Sequence, residues 1–192
     1  MFPSAPRDSL LTDAAGLRTF FANVAARHDM RQLIFLCIGT DRSTGDSLGP
    51  WVGTMLERSG LPRVVGTLES PCDADRLADV LAALPPDAPV VAIDACLGRP
   101  ESIGRYAVSE GPIRPARSVG KSFPPVGTYS VAAVVNAAGP KPYWTLQTTS
   151  LHRVLLMAEA IAEAVAAQWP EPARLNSWRS IRYNNDNLTE GT

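Results

Sequence analysis

Asp46, Glu69 and Asp94 each follow an apolar run, where an acid can be partly desolvated and put to chemical use. Asp46 belongs to IGTDRSTGDSLGP, residues 38–50, a stretch with three glycines and two aspartates directly after Leu33-Ile34-Phe35-Leu36-Cys37. Asp94 ends the run Val90-Val91-Ala92-Ile93, and Glu69 follows Gly66-Thr67-Leu68. Two carboxyls sharing a site cannot both ionise easily. One then activates a water while the protonated one polarises a carbonyl, the logic of aspartic proteolysis. Three carboxylates could instead hold a hard divalent cation. Each acid also has a plainer reading: Asp46 as a helix cap, Asp41 as a turn acid, Asp94 as a structural acid bonded to backbone N–H groups, Glu69 as a solvated loop acid.

Other chemistries fit the residues less well. A phosphate-binding P-loop needs GxxxxGK[ST], but five residues separate Gly39 from Gly45, and Asp46 stands where the lysine belongs. The two histidines, His28 and His152, both fall on expected helices. The cysteines (Cys37, Cys72, Cys96) have no CxxC spacing and read as small buried residues, so neither a zinc site nor a disulfide framework is expected. No cofactor and no metal are expected.

The elements that must position the acids follow from apolar spacing. Helices are expected over residues 10–28, 48–59, 73–84, 128–138 and 150–169, and strands over 33–38, 64–68, 90–94, 104–108 and 143–147. Residues 109–127 read as loop, and the polar segment 170–192 is expected to be poorly ordered. Alternating strands and helices imply a three-layer αβα sandwich with a mostly parallel central sheet, whose site lies beyond the carboxyl ends of the strands. The organisation expected is an N-terminal helical extension (1–30), one domain (31–169) and a tail (170–192).

The chain has 192 residues, 45% of them hydrophobic, enough for one domain with a real core. Eighteen basic and 19 acidic residues are interspersed, giving a net charge of −1 and no basic face for nucleic acid. No apolar run reaches the ~20 residues of a membrane helix. The opening MFPSAPRDSL lacks the basic-then-apolar pattern of a secretion signal, so a cytoplasmic protein is expected.

Together, residues 38–50, Gly66-Thr67-Leu68-Glu69, Ile93-Asp94-Ala95-Cys96-Leu97-Gly98 and Phe123-Pro124-Pro125-Val126-Gly127-Thr128-Tyr129-Ser130 resemble the YyaC-type spore protease family. Val135-Asn136 and Leu146-Gln147 continue the match, which covers roughly residues 31–167. That family is similar to the germination protease and, more distantly, to hydrogenase maturation proteases. The resemblance implies an αβα fold and an aspartic-type endopeptidase of sporulation or germination, in the cytoplasm, the forespore or spore core included. It implies Asp46 and Asp94 as the catalytic pair, with no histidine after Asp94 to bind nickel until His152. Gly45, Glu69, Lys121 and Gly127 are the accompanying substrate-binding candidates: Glu69 would tune the charge of the pair, and Lys121 would stabilise developing negative charge. The implied partner is a protein or peptide, small spore proteins among them. The alternatives that stay open are a silent homologue binding a partner or peptide terminus in the same cleft, and a carboxylate-metal hydrolase. No motif sets the oligomeric state.

Overall fold

The computed structural model describes residues 8–115 and 123–169. Lys121 and the segment 170–192, with the expectation of poor order there, lie outside the described residues. The elements run β1 (Leu10–Thr12), α1 (Ala14–Ala25), β2 (Ile34–Cys37), α2 (Leu48–Arg58), β3 (Val64–Val65), α3 (Leu77–Ala83), β4 (Val90–Gly98), β5 (Tyr106–Ser109), β6 (Tyr129–Ala137), α4 (Pro142–Gln147) and α5 (Leu151–Ala166). A short 3-10 turn, Pro100–Ser102, joins β4 to β5. No helix among the described residues is long and apolar enough to cross a membrane.

All strands join one six-stranded sheet in the order β1-β5-β6-β4-β2-β3. β6, β4, β2 and β3 are mutually parallel, while β5 runs antiparallel to β6, and β1 antiparallel to β5. Side chains alternate across a strand, and β4 shows what each face meets. Val91, Ile93, Ala95 and Leu97 pack with Leu17 and Phe21 of α1, Val52 of α2 and Ile161 of α5. Val90, Ala92 and Cys96 face the other way, toward Leu77 of α3 and toward Ile113 and Val126, which bridge to each other. The sheet is therefore covered on both sides, as a three-layer α/β sandwich requires.

Two expectations exchange their identities. Residues 128–138, expected as a helix, contain β6, and residues 143–147, expected as a strand, lie in α4. β6 reads YSVAAVVNA and is buried from Tyr129 to Val135. Such a segment has no polar stripe to turn outward, so it suits a central strand covered on both faces. In α4, Pro142 at the first position presets the helical φ and has no N–H to leave unpaired.

The amino-terminal segment is no appendage. Residues 10–12, expected as helix, pair with β5 as a strand, and Asp13 caps α1 by accepting the Gly16 N–H at 3.0 Å. Leu17 and Phe21 of α1 are completely buried in the shared core.

Candidate active site

Asp94 was expected to close its strand, yet β4 continues four residues beyond it. The strand's two sides explain the difference. Toward β6, pairing continues from Asp94–Ala132 to Gly98–Ala137. Toward β2, regular pairing ends at Cys37–Ile93, and the last backbone bond there runs from the Ile38 N–H to the Ile93 carbonyl at 2.8 Å. Beyond that level the chain parts from β4, and Ile38 and Gly39 pair with Cys72 instead. The Ala95 N–H, left without a strand partner on that side, donates to Asp94 Oδ1 at 2.8 Å. Asp94 thus sits at the carboxyl edge of β2, on the strand face of Ala92 and Cys96, and is 7% exposed.

This edge is where the chain changes direction. From β2 it proceeds through α2 to β3 on one side; from β4 it proceeds to β5 and β6 on the other. Connections that diverge from neighbouring parallel strands open a crevice between them, the usual ligand position of open α/β sheets.

The loop after β2 starts at this edge. Its path is set by Gly39, whose φ of +147° few side chains tolerate and whose hypothetical Cβ would lie 2.0 Å from the Asp46 carbonyl. That carbonyl accepts the Thr40 N–H at 3.2 Å, folding the loop back on its origin. On its far flank, the Gly45 N–H donates to the Leu146 carbonyl of α4 at 2.9 Å. Laterally, Arg42 bonds Asp73 at 2.7 Å and Arg76 donates to Ser70 Oγ at 2.8 Å, fastening the loop and its neighbour ahead of α3.

Asp46 is 9% exposed. Burial pushes its carboxyl above the ordinary carboxylate value, and the nearby Ser43 hydroxyl opposes that rise. The helix cap is Ser47 rather than Asp46, and Ser47 Oγ donates back to the Thr44 carbonyl at 2.7 Å. Asp46 is thus buried without serving as the cap its position suggested.

The remaining candidates separate from this pair. Glu69 is exposed, beside a turn closed by the Thr67 N–H and the Ser70 carbonyl. Among the described residues no three His, Cys, Asp or Glu side chains gather as a metal would require; the convergence expected of Asp46, Glu69 and Asp94 does not extend to such a cluster. Gly45 is committed to α4, since a Cβ there would lie 2.9 Å from Leu146. Gly127 precedes β6 and lies against Ala92, near the amino ends of the parallel strands. Asp41 is an exposed loop acid.

The nucleophile alternatives fare no better. All three cysteines are buried and free. Burial pushes the Cys72 thiol up to about 11, with Asp73 and Asp94 adding to the rise and Arg76 opposing it, so the thiolate is scarce at neutral pH. His28 bonds the Tyr129 hydroxyl at 2.9 Å, at the amino end of β6, and His152 is exposed on α5.

Sequence reasoning passed over Ser43 and the Arg42–Asp73 fastening. Ser43 lies inside the loop motif three residues before Asp46, and that spacing was the available signal. Arg42 and Asp73 are 31 residues apart, and no local pattern links them.

Residues 12–164 match the model of the family described as protein of unknown function (DUF1256). The chain is 37% identical over 181 residues to the uncharacterized protein YyaC of Bacillus subtilis (strain 168), spanning 90% of this chain and 86% of that one. Among solved structures it resembles the [NiFe] hydrogenase maturation protease HycI from Thermococcus kodakarensis KOD1, with 19% identity and a TM-score of 0.43, over 69% of this chain and 91% of that one.

Proposed function

The chain belongs to the family described as protein of unknown function (DUF1256), and we propose that it is an aspartic-type endopeptidase acting on a protein substrate. The observation that carries this reading is the burial of both aspartates, Asp94 on β4 at the level where β2 and β4 part and Asp46 in the loop that follows β2. Burying carboxylates is costly, and Asp46 is not spent on capping α2.

Asp46, whose proton affinity burial raises, is the acid of the pair. Asp94, held through the Ala95 N–H, is the base. Asp94 takes a proton from water, whose oxygen attacks the peptide carbonyl carbon while Asp46 donates its proton to the carbonyl oxygen. The C–N bond then breaks, and the proton held on Asp94 passes to the departing amine. One water is consumed, and each carboxyl returns to its starting state once Asp46 recovers a proton from the new hydroxyl. The motif resemblance favours a role in sporulation or germination, with small spore proteins as substrates in the cytoplasm or spore core.

The test is incubation with small spore proteins and with an unstructured peptide library, followed by mass spectrometry of new termini. Cleavage by the wild type and none by D46N or D94N supports the reading. Tight binding without cleavage would mark a silent binder, and cleavage abolished by chelation and restored by one divalent ion would mark a metal hydrolase. Either result overturns the proposal.

A further inference from the structure

Tyr143 and Trp144 of α4 are 48% and 61% exposed, and their rings meet edge-on with centroids 6.2 Å apart. Large apolar side chains scattered singly over a surface are ordinary. A touching pair of them is a different case, because tyrosine and tryptophan are enriched where proteins bind other chains.

The helix that carries the pair is held in place. The Leu146 side chain is completely buried, and its carbonyl accepts the Gly45 N–H at 2.9 Å. Asn136, near the carboxyl end of β6, donates to Thr149 Oγ1 at 3.2 Å, and that hydroxyl donates to the Thr145 carbonyl at 2.8 Å. α4 is thus fastened to the loop of Asp46 on one flank. On the other it is fastened to β6, the neighbour of the strand that carries Asp94. Trp144 stands two residues before Leu146, and Asp46 directly follows Gly45. An extended chain, at ~3.3 Å per residue, therefore spans from the ring to the Asp46 loop within a few residues.

We propose that Tyr143 and Trp144 dock an apolar side chain of an unstructured polypeptide whose backbone passes the loop of Asp46. This rests on the peptidase reading for its site, and it names the substrate: an unfolded segment with an aliphatic or aromatic residue a few positions from the bond to be cut. The footprint fits a peptide rather than a second copy of the chain. Two aromatic side chains bury about 150–250 Å² each when fully covered, and this pair is already about half covered. Each partner in a stable dimer buries roughly 800 Å². The fastening of α4 presents the rings without a further ordering cost, which favours binding.

Binding is read by fluorescence anisotropy of two dye-labelled, unstructured peptides of Ser, Gly and Asn, one with a central Leu-Phe pair and one without. The protein is the full chain carrying D94N, so that nothing is cut during the measurement. Into it are placed Y143S, W144S, both together, and L10S as the control. Leu10 is also exposed but lies on β1, at the edge of the sheet. Expected are binding of the Leu-Phe peptide only, a loss of about 10-fold in affinity for Y143S and for W144S, the scale of an interface anchor, and no change in L10S. In the otherwise wild-type enzyme the same two substitutions should raise KM and keep kcat, as removal of uniform binding does. Unchanged affinity in the double variant overturns the proposal, as does a loss that L10S reproduces. A wild-type dimer in sedimentation that the double variant dissolves also overturns it, since the occupant is then a second copy. Ring-dependent binding without any cleavage by the wild type removes the peptidase reading and leaves the docking surface; cleavage with ring-independent binding does the reverse.

Discussion

Keeping Asp46 ionised works against the fold, because burial raises its affinity for a proton above that of the unfolded chain. The native state therefore holds a stability gain at pH below the ordinary carboxylate value and loses it as pH rises through the raised folded value. D46N removes that loss. Its melting temperature should equal or exceed the wild type's at pH 7, with the difference shrinking toward pH 4, as calorimetry at the two pH values would show. A variant that melts well below the wild type at pH 7 would give Asp46 a structural role. Activity should move the opposite way, falling by about 100-fold or more, the usual loss when a general acid or base is removed. Glu69 marks the contrast. It is exposed, and charges in water are screened at physiological ionic strength. E69Q should keep kcat/KM within about 2-fold and leave the alkaline limb of the pH profile in place; a displaced limb would restore Glu69 as a tuning group.

The elements around the pair are shaped by close backbone approaches. Gly39 and Gly60 both have positive φ, but a Cβ at Gly60 would meet nothing within 4 Å, whereas one at Gly39 would collide with the Asp46 carbonyl. G60A should lose about 1 kcal/mol, the cost of a side chain in that conformation. G39A should lose more, by roughly another 1–3 kcal/mol of strain and displaced loop, visible as a lower urea midpoint. Equal midpoints would mean the loop yields freely and does not hold Asp46 in place. The acids of this loop were legible in sequence because glycine spacing and a preceding apolar run are local signals. So were β2 and α2, from a short apolar run and from Pro50 with Gly60. β6 was not, because its alanines suit a helix by propensity and Thr128 resembles a cap; only pairing with β4, some 38 residues earlier, decides for a strand. Likewise α4, rich in residues favoured in strands, is decided by Pro142 and by the bond its Leu146 carbonyl makes to Gly45 in the loop after β2. The level of Asp94 within its strand was hidden for the same reason, since only the departure of β2 makes a mid-strand residue an edge residue.

At the scale of the molecule, α1 belongs to the core that supports the site rather than to an extension. Phe21 is fully buried and stacks edge-on with Phe20, which in turn meets Tyr129 at the start of β6. F21A should cost about 3–5 kcal/mol, measurable by denaturant unfolding, and deletion of residues 1–30 should abolish cooperative folding. A folded, cooperative deletion variant would instead make α1 an appendage. The Arg27–Glu110 pair, exposed at both ends, ties the same region to the segment after β5 but adds little stability in water. What this scaffold is proposed to do is bring two buried carboxyls to one crevice and let them share the work of acid and base. The pH dependence of kcat/KM for peptide cleavage, in the wild type, D46N and D94N, tests that most directly. The account predicts a bell for the wild type, its alkaline limb above the ordinary carboxylate value because burial raises Asp46, and loss of activity in both variants. Full activity in either variant, or a rate that only rises with pH, would contradict it.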